Sequence, residues 1–313
     1  MKSFFVKLAV TVVIFVLIFN SISVEQFLYQ IGKANGLYLL FALIFMYLST
    51  LLASYRWYLM MKTLRYRERF NFFYRSYFKG TFFNQALPST IGGDTIRVLD
   101  LIANRHNKKR AVFDVLSDRF IGLMGLLILA IALNLWMPEL FEKRLFSLIV
   151  GIGFLGVAGI TVLIYSSRIK LLKRFKVTRF FYDFSMRFRV ILRNKKRFLT
   201  QLTLSLGVHV FTILSFYAIA LSIHLKVDPM IFIVIIPTVL IITIIPVSLA
   251  GWGIRESAMI GFFLLIGANE TKVLSVSVLY GLLSVLIGIY GSYYYIRDEE
   301  QKKIDRYEHV LEA

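Results

Sequence analysis

Apolar runs alternate with basic, polar segments along almost the whole chain. Phe4–Ile22, Leu37–Tyr55, Ala111–Met137, Leu145–Tyr165, Phe198–Ile223 and Val273–Ile296 are each long enough to cross a hydrocarbon core of roughly 30 Å. Two further apolar stretches are interrupted. The first is cut by Asn84-Gln85-Ala86-Leu87-Pro88-Ser89-Thr90-Ile91-Gly92-Gly93-Asp94-Thr95-Ile96-Arg97, and the second by Pro237 and Pro246. After Pro246 only Ile254–Ile266 remains apolar, about 20 Å of helix at a rise of roughly 1.5 Å per residue, which is too short to cross. The pattern therefore predicts an all-α integral membrane protein with about six full spans plus two re-entrant or broken helical hairpins.

Loop charge orients these elements. Arg56 to Lys79 holds seven bases against Glu68, and Ser167 to Arg197 holds twelve against Asp183, with Phe and Tyr interleaved. The segments 23–36, 138–144, 224–229 and 267–272 are charge-balanced. Lys and Arg concentrate in the cytoplasmic loops of membrane proteins, so the basic loops, both termini and the tail 297–313 are placed inside. The loop 167–197 is expected to form a basic amphipathic helix on anionic lipid. No small-residue cleavage site follows the first run, which is expected to stay as a span rather than leave as a signal peptide. On this count the first hairpin dips in from the cytoplasm and the second from outside. The chain is expected to be one polytopic domain of the cell membrane, residues 1–313, with pseudo-repeat halves of opposite topology at about 1–140 and 141–300. Inverted repeats of this kind place a substrate site where discontinuous helices meet near the midplane.

The two interruptions share a skeleton. Pro246-Val247-Ser248-Leu249-Ala250-Gly251-Trp252-Gly253-Ile254-Arg255 repeats the proline, hydroxyl, branched aliphatic, small residue, glycine and Ile-Arg of Pro88 to Arg97, at an offset of 158 residues. Gly92, Gly93, Gly251 and Gly253 would permit positive φ and leave amide N–H groups facing an anion. Arg97 and Arg255, on the first turn of each following half-helix, would add a fixed charge to the positive end of its dipole. Together these suit a phosphate. Asp94, Asp118, Arg119 and Glu256 are further ionisable groups at or beside membrane depth, where a charge costs at least roughly 2.5–3.5 kcal/mol unless it pairs or works. Pairing of Asp94 or Asp118 with Arg97 or Arg119, and of Glu256 with Arg255 or a partner across the repeat, would serve structure alone. A transport role adds exchange of those partners with a headgroup. Asn84 can supply an amide to the same cavity, Tyr77 and Trp252 are expected to pack, and His209 is expected to be an interhelical hydrogen-bonding group.

Composition changes the picture in three places. Of 313 residues 58% are hydrophobic and the mean hydropathy is +0.70, far above the roughly 45–50% apolar content of soluble domains, a figure that also counts glycine. A net charge of +19 would suggest nucleic acid in a soluble protein, but here it belongs to loops facing anionic headgroups, and no nucleic-acid partner is expected. Cysteine is absent and the histidines His106, His209, His224 and His309 are scattered, so no metal, cofactor or thiol nucleophile is expected. G-x-S-x-G, Walker A, H-E-x-x-H and D-x-D-like signatures are missing, as is a soluble segment large enough for a nucleotide donor.

Trp57, the run Tyr77-Phe78-Lys79-Gly80-Thr81-Phe82-Phe83 continuing into Asn84 to Arg97, then Asp118-Arg119-Phe120 and Pro246 to Glu256 resemble the membrane domain of lysylphosphatidylglycerol synthases. That flippase-like family is also labelled dolichol-phosphate-glucose-synthetase-like, and the similarity covers roughly Phe4 to Ile296. It implies movement of aminoacylated phospholipid between leaflets, the aminoacyl transfer from charged tRNA being made by a separate C-terminal cytosolic domain. The sequence stops at Ala313, shortly after its last span, so that catalytic domain is not expected in it. Where the family commonly carries an Arg at the start of the span after the first motif, Arg119 takes that place. The expected function is translocation of an anionic, aminoacylated or polyprenyl- or sugar-linked lipid, with membrane lipids as partners. The alternatives are a membrane enzyme, lysyltransferase-like or a lipid-linked glycosyltransferase, and a non-catalytic partner of a separate lipid-modifying transferase.

Overall fold

The computed structural model describes residues 11–311 other than 15, 19, 21–22, 87–91, 175, 245–247 and 249; side chains are described to residue 298, apart from 86, 170–171 and 176–177. Among the described residues all regular structure is helical. The helices are α1 (Val24–Gly32), α2 (Gly36–Thr63), α3 (Phe70–Ala86), α4 (Gly92–Ala103), α5 (Lys108–Trp136), α6 (Lys143–Tyr165), α7 (Lys176–Leu192), α8 (Lys195–Ser222), α9 (Pro229–Thr243), α10 (Ile254–Leu264) and α11 (Glu270–Leu311). Asn35, Asn107, Asn194 and Asp228 start α2, α5, α8 and α9, each side-chain oxygen accepting a first-turn amide.

Five of the described helices are long and apolar enough to cross a membrane: α2, α5, α6 with the short 3-10 turn that carries it to Arg168, α8, and α11 as far as Asp298. They match five of the six expected spans. The remaining one, residues 4–22, lies mostly outside the described residues. Of the turn expected near Pro88 to Gly93, residues 88–91 also lie outside them, while Gly92 and Gly93 belong to α4; Pro246, Val247 and Leu249 of its echo are outside as well. Both hairpins are present as helix pairs, α3 packing on α4 and α9 on α10.

The offset of 158 residues recurs in two helix boundaries. It moves Gly36–Thr63 onto 194–221, within a residue of α8, and Phe70 onto 228, within a residue of the start of α9. Cross-contacts between α2 and α8 fix their relative direction. Asn35 N donates to the Ser222 carbonyl, Ser49 Oγ to the Val208 carbonyl, and Arg56 Nη1 to Ser205 Oγ. As the number rises along one helix it falls along the other, so these two spans run antiparallel. Around them α3 packs on α11, and α9 on α5.

Three local expectations change. Helix α3 begins at Phe70, well inside the segment read as a basic loop, and Lys79 is buried in it, bonded to Asp100 and Asp298 at 2.8 and 2.9 Å. Pro237 does not break α9, which runs through it; the proline removes one amide from the ladder, a loss tolerated where neighbouring protein covers the backbone, and Pro237 is buried. The third is α2, which continues past Tyr55 to Thr63 because Tyr58, Leu59, Met60 and Met61 prolong the apolar run, so Arg56 lies within the helix and is buried.

Basic helix α7 has two apolar faces. Phe184, Phe188 and Ile191 are buried against the bundle, whereas Phe180, Phe181, Met186 and Val190 are exposed. Arg187 anchors the helix through two bonds to the fully buried Asp114, at 2.6 and 2.8 Å. Tyr66 donates to the same carboxylate at 2.7 Å, and burial together with that carboxylate pushes the phenol well above its usual range.

Candidate functional site

Two arginine clusters occupy the starts of α4 and α10, and they differ in composition. At α4, Arg97 Nη2 donates to Asp118 Oδ2 at 2.7 Å and Nη1 to Asp94 Oδ1 at 3.2 Å. Arg119 closes on the other oxygen of Asp94, while Arg56 Nε bonds Asp118 Oδ1 at 3.1 Å. The Arg97 guanidinium lies 4.1 Å from the Trp57 ring centroid and 4.7 Å from that of Tyr77, so aromatic faces cover what the carboxylates leave open. Three arginines meet two aspartates, leaving an excess of one positive charge. Arg56, Arg97 and Asp118 are buried, whereas the side chains of Asp94 and Arg119 retain 18% and 36% exposure. Arg97 Nε is buried with no hydrogen-bond partner among the described residues.

These groups line a cavity of about 480 Å³. Arg56, Tyr77, Asn84, Asp94, Arg97, Asp118 and Arg119 form its polar wall, and Leu116, Phe120, Leu123, Leu126 and Ile244 much of the remainder. His209 also faces it, donating from Nε2 to the Gly122 carbonyl at 3.1 Å, the interhelical role expected of it. Ile244 caps the C-terminal end of α9, the first arm of the second hairpin, so both hairpins contribute to the wall.

At α10 the cluster is self-contained. Arg255 Nη2 bonds Glu256 Oε1 at 2.6 Å, and Ser277 Oγ accepts from Arg255 Nε at 3.0 Å while donating to Glu256 Oε1 at 2.9 Å. One cation meets one carboxylate, both buried. Trp252 and Tyr280 cover the guanidinium at 5.0 and 5.4 Å. None of Gly251, Gly253, Arg255 and Glu256 lines the 480 Å³ cavity. The motif echo thus yields two similar arginine environments of unequal charge, brought to separate places.

The glycines act differently from expectation at the first motif. Gly92 and Gly93 are helical and buried. A Cβ on Gly93 would stand 2.5 Å from the Gly80 carbonyl oxygen, so this glycine lets the hairpin arms touch backbone to backbone. Its amide is taken by Asn84 Oδ1 at 2.8 Å. Gly93→Ala is expected to destabilise the protein by about 1–3 kcal/mol through overpacking, measurable as a lowered denaturation midpoint in detergent. At the second motif Gly251 and Gly253 do take positive φ, +82° and +86°. The Gly253 amide nevertheless binds Glu256 Oε2 at 2.6 Å. Both half-helix N-termini carry their own carboxylate, Asp94 or Glu256, in the first turn, which satisfies the dipole internally.

The description Lysylphosphatidylglycerol synthase TM region belongs to a family model that matches residues 4–291. The chain belongs to this family. Among curated proteins nothing matches. As a member of the lysylphosphatidylglycerol synthase TM-region family with five long apolar helices, the chain is a membrane protein with a role connected to membrane lipids. Arg56 is the residue of this family member's site that spacing missed; the signal available was that Met60 and Met61 keep it inside an apolar helix rather than at its end.

Proposed function

We propose that this chain moves the phosphate-bearing headgroup of a lipid across the cell membrane, with the α4 cavity as the headgroup site. The carrying observation is the unbalanced charge on a wall that is otherwise apolar: Arg56, Arg97 and Arg119 against Asp94 and Asp118, facing Leu116, Phe120, Leu123 and Leu126. A phospholipid presents the same two chemistries, an anionic ester and acyl chains. Asp94 is the partner able to yield, because it is partly exposed and bridges Arg97 to Arg119. Phosphate oxygens replacing its carboxylate would meet the Arg97 guanidinium, already oriented by Asp118, Trp57 and Tyr77, together with the partly exposed Arg119 that Asp94 releases, and Arg forks suit phosphate. Hairpins broken at α3/α4 and α9/α10, exchanged between antiparallel halves, are the kind of element that rocks in alternating access. Loop charge favours cytoplasmic termini.

Purified protein in liposomes, assayed for movement of several labelled lipids with no donor substrate, tests this reading. Arg119→Ala leaves Asp94 paired with Arg97, so folding should be nearly unaffected. Translocation of phosphate-bearing lipids is expected to fall about tenfold, the worth of roughly one charged hydrogen bond. Unchanged movement in this variant would defeat the assignment. Product formed only when a donor is added, with no partner protein present, would mark an enzyme instead.

A further inference from the structure

A second, smaller cavity of about 160 Å³ lies where α2, α3, α8 and α11 meet. Ser49, Thr50, Thr81, Thr212, Ser215 and Ser284 face it. Four donate to a helix carbonyl, Thr50 to Met46, Thr81 to Phe78, Ser215 to Thr212 and Ser284 to Tyr280, at 2.6–2.9 Å, while Ser49 and Thr212 share the Val208 carbonyl, both at 3.0 Å, and pair with each other at 3.1 Å. A hydroxyl has one donor and two acceptor lone pairs. With these hydroxyl protons engaged, the chamber offers hydroxyl acceptors from four helices, beside the side-chain amides of Asn84 and Gln85 and the Tyr280 hydroxyl, a mixed set that suits a polyol, which both donates and accepts. No Asp, Glu, Lys, Arg or His is among its lining residues. A cationic ammonium there would lack a counter-charge, so neutral donors match it better.

The chamber also adjoins both arginine clusters. Asn84 lines it and the 480 Å³ cavity alike. At its other side stands Tyr280, whose ring is stacked on Phe216 at 3.9 Å and lies under the Arg255 guanidinium. Resting on the headgroup reading above, we propose that this chamber binds the uncharged, hydroxyl-bearing part of the headgroup, a glycerol or sugar polyol, while the phosphate occupies the arginine cavity on the other side of Asn84.

Equilibrium binding to the purified full chain in detergent separates the two subsites. The probes are short-chain phosphatidylglycerol and phosphatidylinositol, which carry a polyol, phosphatidic acid, which carries phosphate alone, and phosphatidylethanolamine, which carries an ammonium. The polyol lipids are expected to bind about tenfold more tightly than phosphatidic acid. The comparison of the two polyol lipids shows whether glycerol or a ring fits. Thr212→Val with Ser49→Ala, which removes two acceptors while nearly keeping volume, should erase that preference and leave phosphatidic acid affinity unchanged; the unfolding midpoint is followed alongside. Equal binding of phosphatidic acid by the unaltered protein, survival of the preference in the double variant, or tighter binding of phosphatidylethanolamine would each overturn the chamber assignment. The translocation reading fails separately if the binding preference is found but labelled lipids do not move in liposomes.

Discussion

Asp118→Ala is expected to cost about 3–5 kcal/mol of stability, the range seen when one partner of a buried ion pair is removed and the other is left uncompensated. Asp118 is 1% exposed and holds two arginines that are themselves buried, Arg56 at 3.0 Å and Arg97 at 2.7 Å. Its loss leaves Asp94 as the remaining carboxylate for three guanidinium groups. Arg56 retains only the neutral Ser205 hydroxyl at 3.1 Å, which solvates the cation without neutralising it, while Arg97 keeps two ring faces and must share Asp94 with Arg119. Asp94→Asn should cost less, because water reaches that side chain and Arg97 keeps Asp118. The same change should tighten phosphate binding by removing the negative charge that competes for Arg97 and Arg119. Unfolding in detergent followed by tryptophan fluorescence reports both variants. An Asp118→Ala protein within about 1 kcal/mol of the unaltered chain would show that the cluster is solvated in a way its burial does not suggest.

Much of this architecture is legible in the residues because hydrophobicity and loop charge report on the bilayer, and because the motif repeats at a fixed offset. Five spans, both broken hairpins and the placement of Arg97 and Arg255 at the starts of α4 and α10 follow from that. The inequality of the two arginines does not. Arg97 takes its partners from Asp94 in the same turn and from Asp118 on α5, which in turn is held by Arg56 on α2, and sequence spacing says nothing about such convergence. Arg255 finds Glu256 next to it in the chain and Ser277 on α11. The glycine amides show the same limit. Spacing indicates that they could face an anion, whereas the side chains of Asn84 and Glu256, placed by the fold, have already bonded to two of them. Lys79 was read as a loop base because its count of charges is local, and only packing of α3 against α4 and α11 brings Asp100 and Asp298 to it.

The second cluster supplies the sharpest contrast with the first. Glu256→Gln is expected to destabilise by about 3–5 kcal/mol, since Glu256 is fully buried, neutralises Arg255, accepts from Ser277 and caps the Gly253 amide. Arg255→Met should be costly for the converse reason, an uncompensated carboxylate beneath Trp252 and Tyr280. Combining the two removes both charges together and keeps a long apolar side chain under the rings, so the double variant should be more stable than the sum of the two single changes predicts, by an interaction energy of about 1–3 kcal/mol. A double-mutant cycle of unfolding free energies in detergent measures it, and simple additivity would show that the pair is not a closed unit. The cycle also decides the role of the repeat. If the double variant still moves lipid in liposomes while Arg119→Ala does not, the phosphate works at α4 alone, and the α10 cluster is the neutral counterpart on which the second hairpin is held. Loss of movement in the double variant, with its fold intact, would restore Arg255 to the headgroup path that the repeated Ile-Arg suggests.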